Sequence, residues 1–229
     1  MDTQAYDNKN YFAVIGDIID SKMIQDRIMV QQNLSTVLSK INETYTKCIS
    51  SKFMITLGDE FQGLLSNGEN IVDIINAIER EMYPVKLRFG IGVGSITTKI
   101  DYELPIGADG PAYYNARKMI EHNKMIKKTK KEIRANIGIK IEGDSNLSNL
   151  INSIFSLNTV LKQKWSSRQR EVINAFIKSN EVQGSTASML GIHQSSVQRA
   201  LKTSGFYEYQ QANQSITNAL SSMAESYND

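Results

Sequence analysis

Residues 85–94 constrain the fold more than any other stretch of this chain. Val85, Leu87, Phe89, Ile91 and Val93 alternate with Lys86, Arg88, Gly90, Gly92 and Gly94. A period of two is a strand, and this one is wholly apolar on one face. Three glycines on the other face admit either a helix or a ligand close to the backbone. Arg88 shares that glycine face, so it meets either the ligand or a local carboxylate.

The upstream elements fall into an order around this strand. The apolar run YFAVIG at 11–16 reads as a buried strand ending at Gly16-Asp17. Asp20-Ser21 then caps a helix whose apolar face holds Ile24, Ile28, Leu34, Val37, Leu38 and Ile41. Phe53 to Leu57 and Phe61 to Leu65 form a hairpin about Gly58-Asp59. A second amphipathic helix carries Ile71, Ile74, Ile75, Ile78 and Met82 and ends before Pro84. The sum is β-α-β-β-α-β, a ferredoxin-like or palm arrangement. A further helix opens at Asp109-Gly110-Pro111 and runs to about Lys131, and a strand near 133–141 completes the sheet.

The remainder reads as helical. Ser166-Ser167 caps a helix with Val172, Ile173, Phe176 and Ile177 on one face. Short helices at about 185–190 and 194–203 are joined at Gly191 and stopped by Gly205, which is a helix-turn-helix spacing. The last twenty residues, with Tyr209, Ile216, Leu220 and Met223, read as a polar helix that frays or forms a dimer contact. The fold class expected is therefore α+β: a ferredoxin-like βαββαβ domain at 1–142, a helical connector at 143–164, and a small all-α helix-turn-helix domain at 165–229.

Charge divides the chain in the same way. Residues 1–116 hold 10 Lys/Arg against 15 Asp/Glu, residues 117–140 hold 9 against 2, and residues 161–205 hold 7 against 2. A basic back half points to a polyanion as its partner. The run Lys124, Lys127, Lys128, Lys130, Lys131 and Arg134 is either a phosphate-contacting stripe or a solvated helix end. One cysteine, Cys48, excludes an internal disulfide, and two histidines, His122 and His193, leave no histidine-based zinc site. No apolar stretch approaches the roughly 20 residues of a membrane helix. The expected setting is cytoplasmic.

Two acids stand out. A right-handed crossover in β-α-β-β sets the third strand between the first two, so Asp17 and Asp59 should meet at one rim of the sheet. Each is either an ordinary turn or cap residue or part of a ligand set. Like charges at close range repel, and a divalent cation removes the conflict. Oxygen donors without His or Cys suit Mg²⁺ or Mn²⁺. Backbone N–H groups of residues 18–21, including Ile18, Asp20 and Ser21, would cradle phosphates of a nucleotide at the helix start.

The patterns VIGDIIDS, ITLGDEFQGLL, LRFGIGVG and IGADGPAYYNAR resemble the SatD family of bacterial proteins over roughly residues 11–120. The same skeleton is similar to class III nucleotide cyclases and, more distantly, to GGDEF-type cyclases. That resemblance implies metal ligation by Asp17 and Asp59, with Glu60 as an extra ligand, and a homodimer, because cyclase sites form between two subunits. The helix Asn and Arg that cyclases carry four residues apart fall here on Tyr114 and Lys118. A shift of one residue is about 100° around a helix, which directs Asn115 and Arg117 elsewhere and leaves Lys118 to meet a phosphate.

The segment WSSRQREVINAFI resembles the opening helix of sigma-region-4 and LuxR-like DNA-binding domains. Such domains set the start of their second helix in the major groove. His193, Gln194, Ser195, Ser196, Gln198 and Arg199 occupy that start, with Gln suited to adenine and Arg to guanine. Lys202, Arg168 and Arg170 would meet backbone phosphates. The same three-helix shape also serves protein docking. The leading expectation is a regulator of double-stranded DNA with a metal–nucleotide sensor domain; the alternative is a metal-dependent nucleotidyl- or phosphoryl-transfer enzyme delivered to DNA or a partner.

Overall fold

A computed structural model describes residues 9–126 and 135–225. Five strands form one sheet, β1 (Tyr11–Ile18), β2 (Ile49–Leu57), β3 (Glu60–Leu65), β4 (Leu87–Gly94) and β5 (Ile137–Ile141). Their spatial order is β2-β3-β1-β4-β5. The first four are antiparallel neighbours, and β5 runs parallel to β4. This is the expected βαββαβ sheet with one strand added.

Side chains on β1 alternate between two cores because a strand presents successive residues to opposite faces. Phe12 and Val14 join Phe61, Phe89, Ile91 and Val93 beneath the helices α1 (Arg27–Thr44) and α2 (Ile71–Met82). Ala13 and Ile15 face the other way, against α3 (Pro111–Ile126), with Ala112, Ala116 and Ile120. The glycine face of β4 is filled by that helix. A Cβ on Gly92 would lie 1.9 Å from the Ala112 carbonyl oxygen, and one on Gly90 2.3 Å from that of Ala116. So the glycines serve helix packing. Residues 127–134, which hold most of the expected basic stripe and the start of the expected fifth strand, lie outside the described residues.

The first helix starts later than its sequence suggests. Asp20 takes a left-handed backbone (φ 56°), and only one 3-10 turn follows, at Ser21–Met23. Asp26 caps α1 instead, its carboxylate accepting from the Met29 amide at 3.0 Å. Satisfying that amide fixes the start at Arg27, which leaves Ile28 exposed outside the core.

The chain divides into two compact units, residues 1–156 with 216–229, and residues 157–215. These bounds differ from the expected 142 and 164. The helices α4 (Ser145–Gln163) and α8 (Phe206–Glu225) each supply residues to both units. In the first unit Ile151, Phe155, Ile216 and Leu220 are buried in the main core. The apolar residues of the last helix are thus consumed inside the chain, which removes the frayed or dimer-forming reading for them.

In the second unit α5 (Ser167–Lys178), α6 (Gln183–Leu190) and α7 (Gln194–Thr203) enclose Val172, Ile173, Phe176, Ala187, Val197 and Leu201. A capping box between Ser166 and Gln169 opens α5. Gly191 closes α6 at φ 62°, a conformation that favours glycine. Trp165 donates its Nε1–H to the Ser204 carbonyl at 2.7 Å and packs edge-on to Tyr209. It is a packing anchor. No helix among the described residues is long and apolar enough to cross a membrane.

Candidate functional site

The topology brings the two acids to one cleft. Its volume is about 540 Å³, and its walls include Asp17 and Ile18 at the end of β1, Asp20 to Met23, and Asp59 and Glu60 of the hairpin. Leu57, Gly58, Arg88 and Lys124 complete it. Pairing register explains the meeting: Asp17 stands opposite Glu60 on β3 and opposite Arg88 on β4. Glu60 rather than Asp59 is therefore the cross-strand neighbour of Asp17.

Four of the charged residues in the cleft, Asp17, Glu60, Arg88 and Lys124, are engaged in ion pairs. Arg88 Nη1 donates to both carboxylate oxygens of Asp17 at 3.0 Å, and both residues are buried. Lys124 reaches from α3 to the same carboxylate, 2.7 Å from Oδ2. Closer to the start of that helix, Arg117 pairs with Glu60 at 2.5 Å. Arg88 thus takes the local-carboxylate role that its strand position left open. It lies beyond the glycine row, where a side chain again fits between sheet and helix.

Arg117 corrects the sequence expectation. It points at the acidic rim, whereas Asn115 is buried and donates to the Val93 carbonyl at 3.1 Å. Lys118, expected to meet a phosphate, is absent from the cleft walls. It faces Lys140, whose ammonium is pulled below its ordinary value by desolvation and then by the Lys118 charge. Residues seven apart share one side of a helix, so the pair Arg117 and Lys124 was visible as a spacing. Only the packed sheet shows that this side meets the acids.

Of the amides at the start of the expected first helix, that of Ile19 is not available to a phosphate. The Ile19 amide donates to the Lys86 carbonyl at 2.8 Å, and Ile18 is still within the strand. Nor does the donor set fit a divalent ion as arranged. Both oxygens of Asp17 accept from cations, Glu60 is paired, and no group of three His, Cys, Asp or Glu able to hold a metal occurs among the described residues. Mg²⁺ needs near-octahedral oxygen ligation, which these acids do not offer in their present pairing.

The helical unit presents its own surface. On α7, Val197 and Leu201 are buried, while Gln194, Ser195, Ser196, Gln198, Arg199 and Lys202 are exposed. His193 sits at the N-cap with its side chain making no cap bond. Arg168 is exposed and pairs with Glu171. Arg170 behaves differently: its Nη2 donates to the Lys162 carbonyl, and its guanidinium stacks 5.5 Å from the centre of the Trp165 ring. That side chain is part of the packing around the tryptophan.

Solved structures similar to this chain include a bacterial light-regulated adenylyl cyclase, 9% identical, with TM-score 0.44, covering 57% of this chain and 75% of that one. The guanylyl cyclase Cya2 is 12% identical with TM-score 0.36, covering 51% and 72%. A regulator of polyketide synthase expression from Bifidobacterium adolescentis is 12% identical with TM-score 0.30, covering 93% and 86%. No curated protein matches by sequence. The model of the SatD family matches residues 11–220, which is nearly the whole chain and extends well beyond the four motifs, and the protein therefore belongs to the SatD family.

Proposed function

We propose that the protein is a DNA-binding regulator whose first unit carries a nucleotide-binding cleft at the Asp17 edge of its sheet. The observation that carries the DNA reading is the division of α7. Its apolar residues Val197 and Leu201 are spent on the core, and its outer face is a run of polar hydrogen-bonding groups ending in two cations. α6, the turn at 191–193 and α7 have the element lengths of a helix-turn-helix, in which the start of the second helix reads base edges. Gln194 and Gln198 suit adenine, and Arg199 suits guanine. On this reading Arg168 and Lys202 meet phosphates, and Arg170, stacked on Trp165, belongs to the packing.

Fluorescence anisotropy of the full chain on a labelled random-sequence duplex tests this. Binding should fall as salt rises, because cations that meet phosphates release counterions. Arg199→Ala and Lys202→Ala should each weaken binding, and removing the Lys202 cation from its phosphate should lower the logarithmic salt slope by about 1. Arg170→Ala should lower the stability of the helical unit instead. Unchanged affinity in the Arg199 and Lys202 variants would overturn the reading.

A further inference from the structure

Both edges of the sheet are closed by the same side-chain group. β2 and β5 are the outer strands, and an outer strand offers unpaired N–H and C=O groups to any extended chain that comes alongside. On β5, Asn152 of α4 takes both groups of one residue. Its Oδ1 accepts from the Ile139 amide at 2.8 Å, and its Nδ2 donates to the Ile139 carbonyl at 2.8 Å. One turn earlier on the same helix, Ser148 Oγ accepts from the Ile141 amide at 2.9 Å. On β2 the register breaks between Ser51 and Met54, which leaves Phe53 without a partner on β3. There Asn42 of α1 repeats the arrangement: Oδ1 accepts from the Phe53 amide at 2.8 Å, and Nδ2 donates to its carbonyl at 2.9 Å. The adjacent Lys52 amide donates to the Tyr102 carbonyl at 2.8 Å.

A carboxamide carries the donor and the acceptor of a peptide group, so each asparagine stands in for one residue of a further strand. Asn152 lies in the middle of α4, where asparagine is a weak helix former. What it gains there is the pair of bonds to β5. That strand, IGIKI, has three β-branched residues and a single charge, a composition that pairs readily where its edge is open. We propose that Asn42 and Asn152 keep the sheet from pairing with a second copy of this chain, so that copies of the protein do not join through strand edges.

The test is amide exchange by NMR together with sedimentation equilibrium, on the full chain at low and at high protein concentration. In the parent, the Ile139 and Phe53 amides should be equally protected at both. Asn152→Ala should speed exchange of the Ile139 amide roughly tenfold at low concentration. At high concentration that protection should return and the mass should rise, because the β5 edge of a second copy takes the vacated place. General loss of stability speeds exchange across the whole sheet, whereas recovery confined to β5 marks edge pairing. Asn152→Asp keeps an acceptor for the Ile139 amide but sets a charge on the edge, and should hold the parent's mass at both concentrations. Asn42→Ala should repeat the alanine result at Phe53 on β2, and it decides the matter if the Asn152 variants do not fold. Alanine variants whose mass and exchange ignore concentration overturn the proposal. So does an Asp variant that associates as the Ala variant does, or a parent whose Ile139 or Phe53 amide gains protection with concentration.

Discussion

Replacing Asp17 by Asn should damage the fold before it damages any binding. The change keeps the shape and removes the charge that two cations share. Their fates differ. The Lys124 side chain is 47% exposed and turns to water, whereas that of Arg88 is 8% exposed and stays between sheet and helix without its partner. Breaking a buried pair from one side costs about 3–5 kcal/mol. With a single stranded charge, about 3 kcal/mol is expected. Trp165 lies in the helical unit, so its fluorescence does not follow this unit. Amide hydrogen exchange across β1 and β4 does. A loss of about 3 kcal/mol speeds exchange through the cooperative opening by roughly a hundredfold. The double variant Asp17→Leu/Arg88→Met removes both charges at similar volume and should return to within about 1 kcal/mol of the parent. An Asn variant that loses less than about 1 kcal/mol, or a double variant as unstable as both single changes added together, would refute the reasoning.

Gly92→Ala should be among the most damaging alanine substitutions in the sheet. Its Cβ would stand 1.9 Å from the Ala112 carbonyl oxygen and 2.3 Å from the Ala116 amide nitrogen, both backbone atoms of α3. A loss at or above about 3 kcal/mol, read as a lower urea midpoint, is expected. Gly184→Ala has nothing within 4 Å and lies inside α6, so it should stabilise by about 0.5–1 kcal/mol. Tyr113→Phe should also stabilise, by about 1 kcal/mol, because the buried Tyr113 hydroxyl has no hydrogen-bond partner among the described residues. Burial raises the Tyr113 phenol above its ordinary value. The folded state therefore holds the proton more tightly than the unfolded chain, and stability that is full below about pH 10 is lost as pH rises past it. Chemical denaturation between neutral pH and pH 11 should show that decline, shallower in the phenylalanine variant.

Periodicity in the sequence determined the sheet and its connectivity. The alternation at 85–94 and the turn at Gly58-Asp59 are local signals, as is the capping pattern at Ser166. Each is settled by backbone geometry within a few residues. The meeting of Asp17 with the hairpin was legible too, because handedness restricts how such strands can be joined. The late start of α1 was not, since Asp20 and Asp26 are equally good caps on paper and the left-handed turn at Asp20 decides between them. Nor could the chain alone assign the partners of the acids. Arg88 and Lys124 lie 71 and 107 positions from Asp17, and Arg117 lies 57 positions from Glu60. Arg88 meets Asp17 through strand register, whereas Arg117 and Lys124 reach the acids only because α3 approaches β4 closely, a distance set by three glycines and the helix backbone pressed against them. Side-chain spacing tells which residues share a face. Packing across the sheet tells what that face touches, and here it sets Lys124 against Asp17 and Arg117 against Glu60.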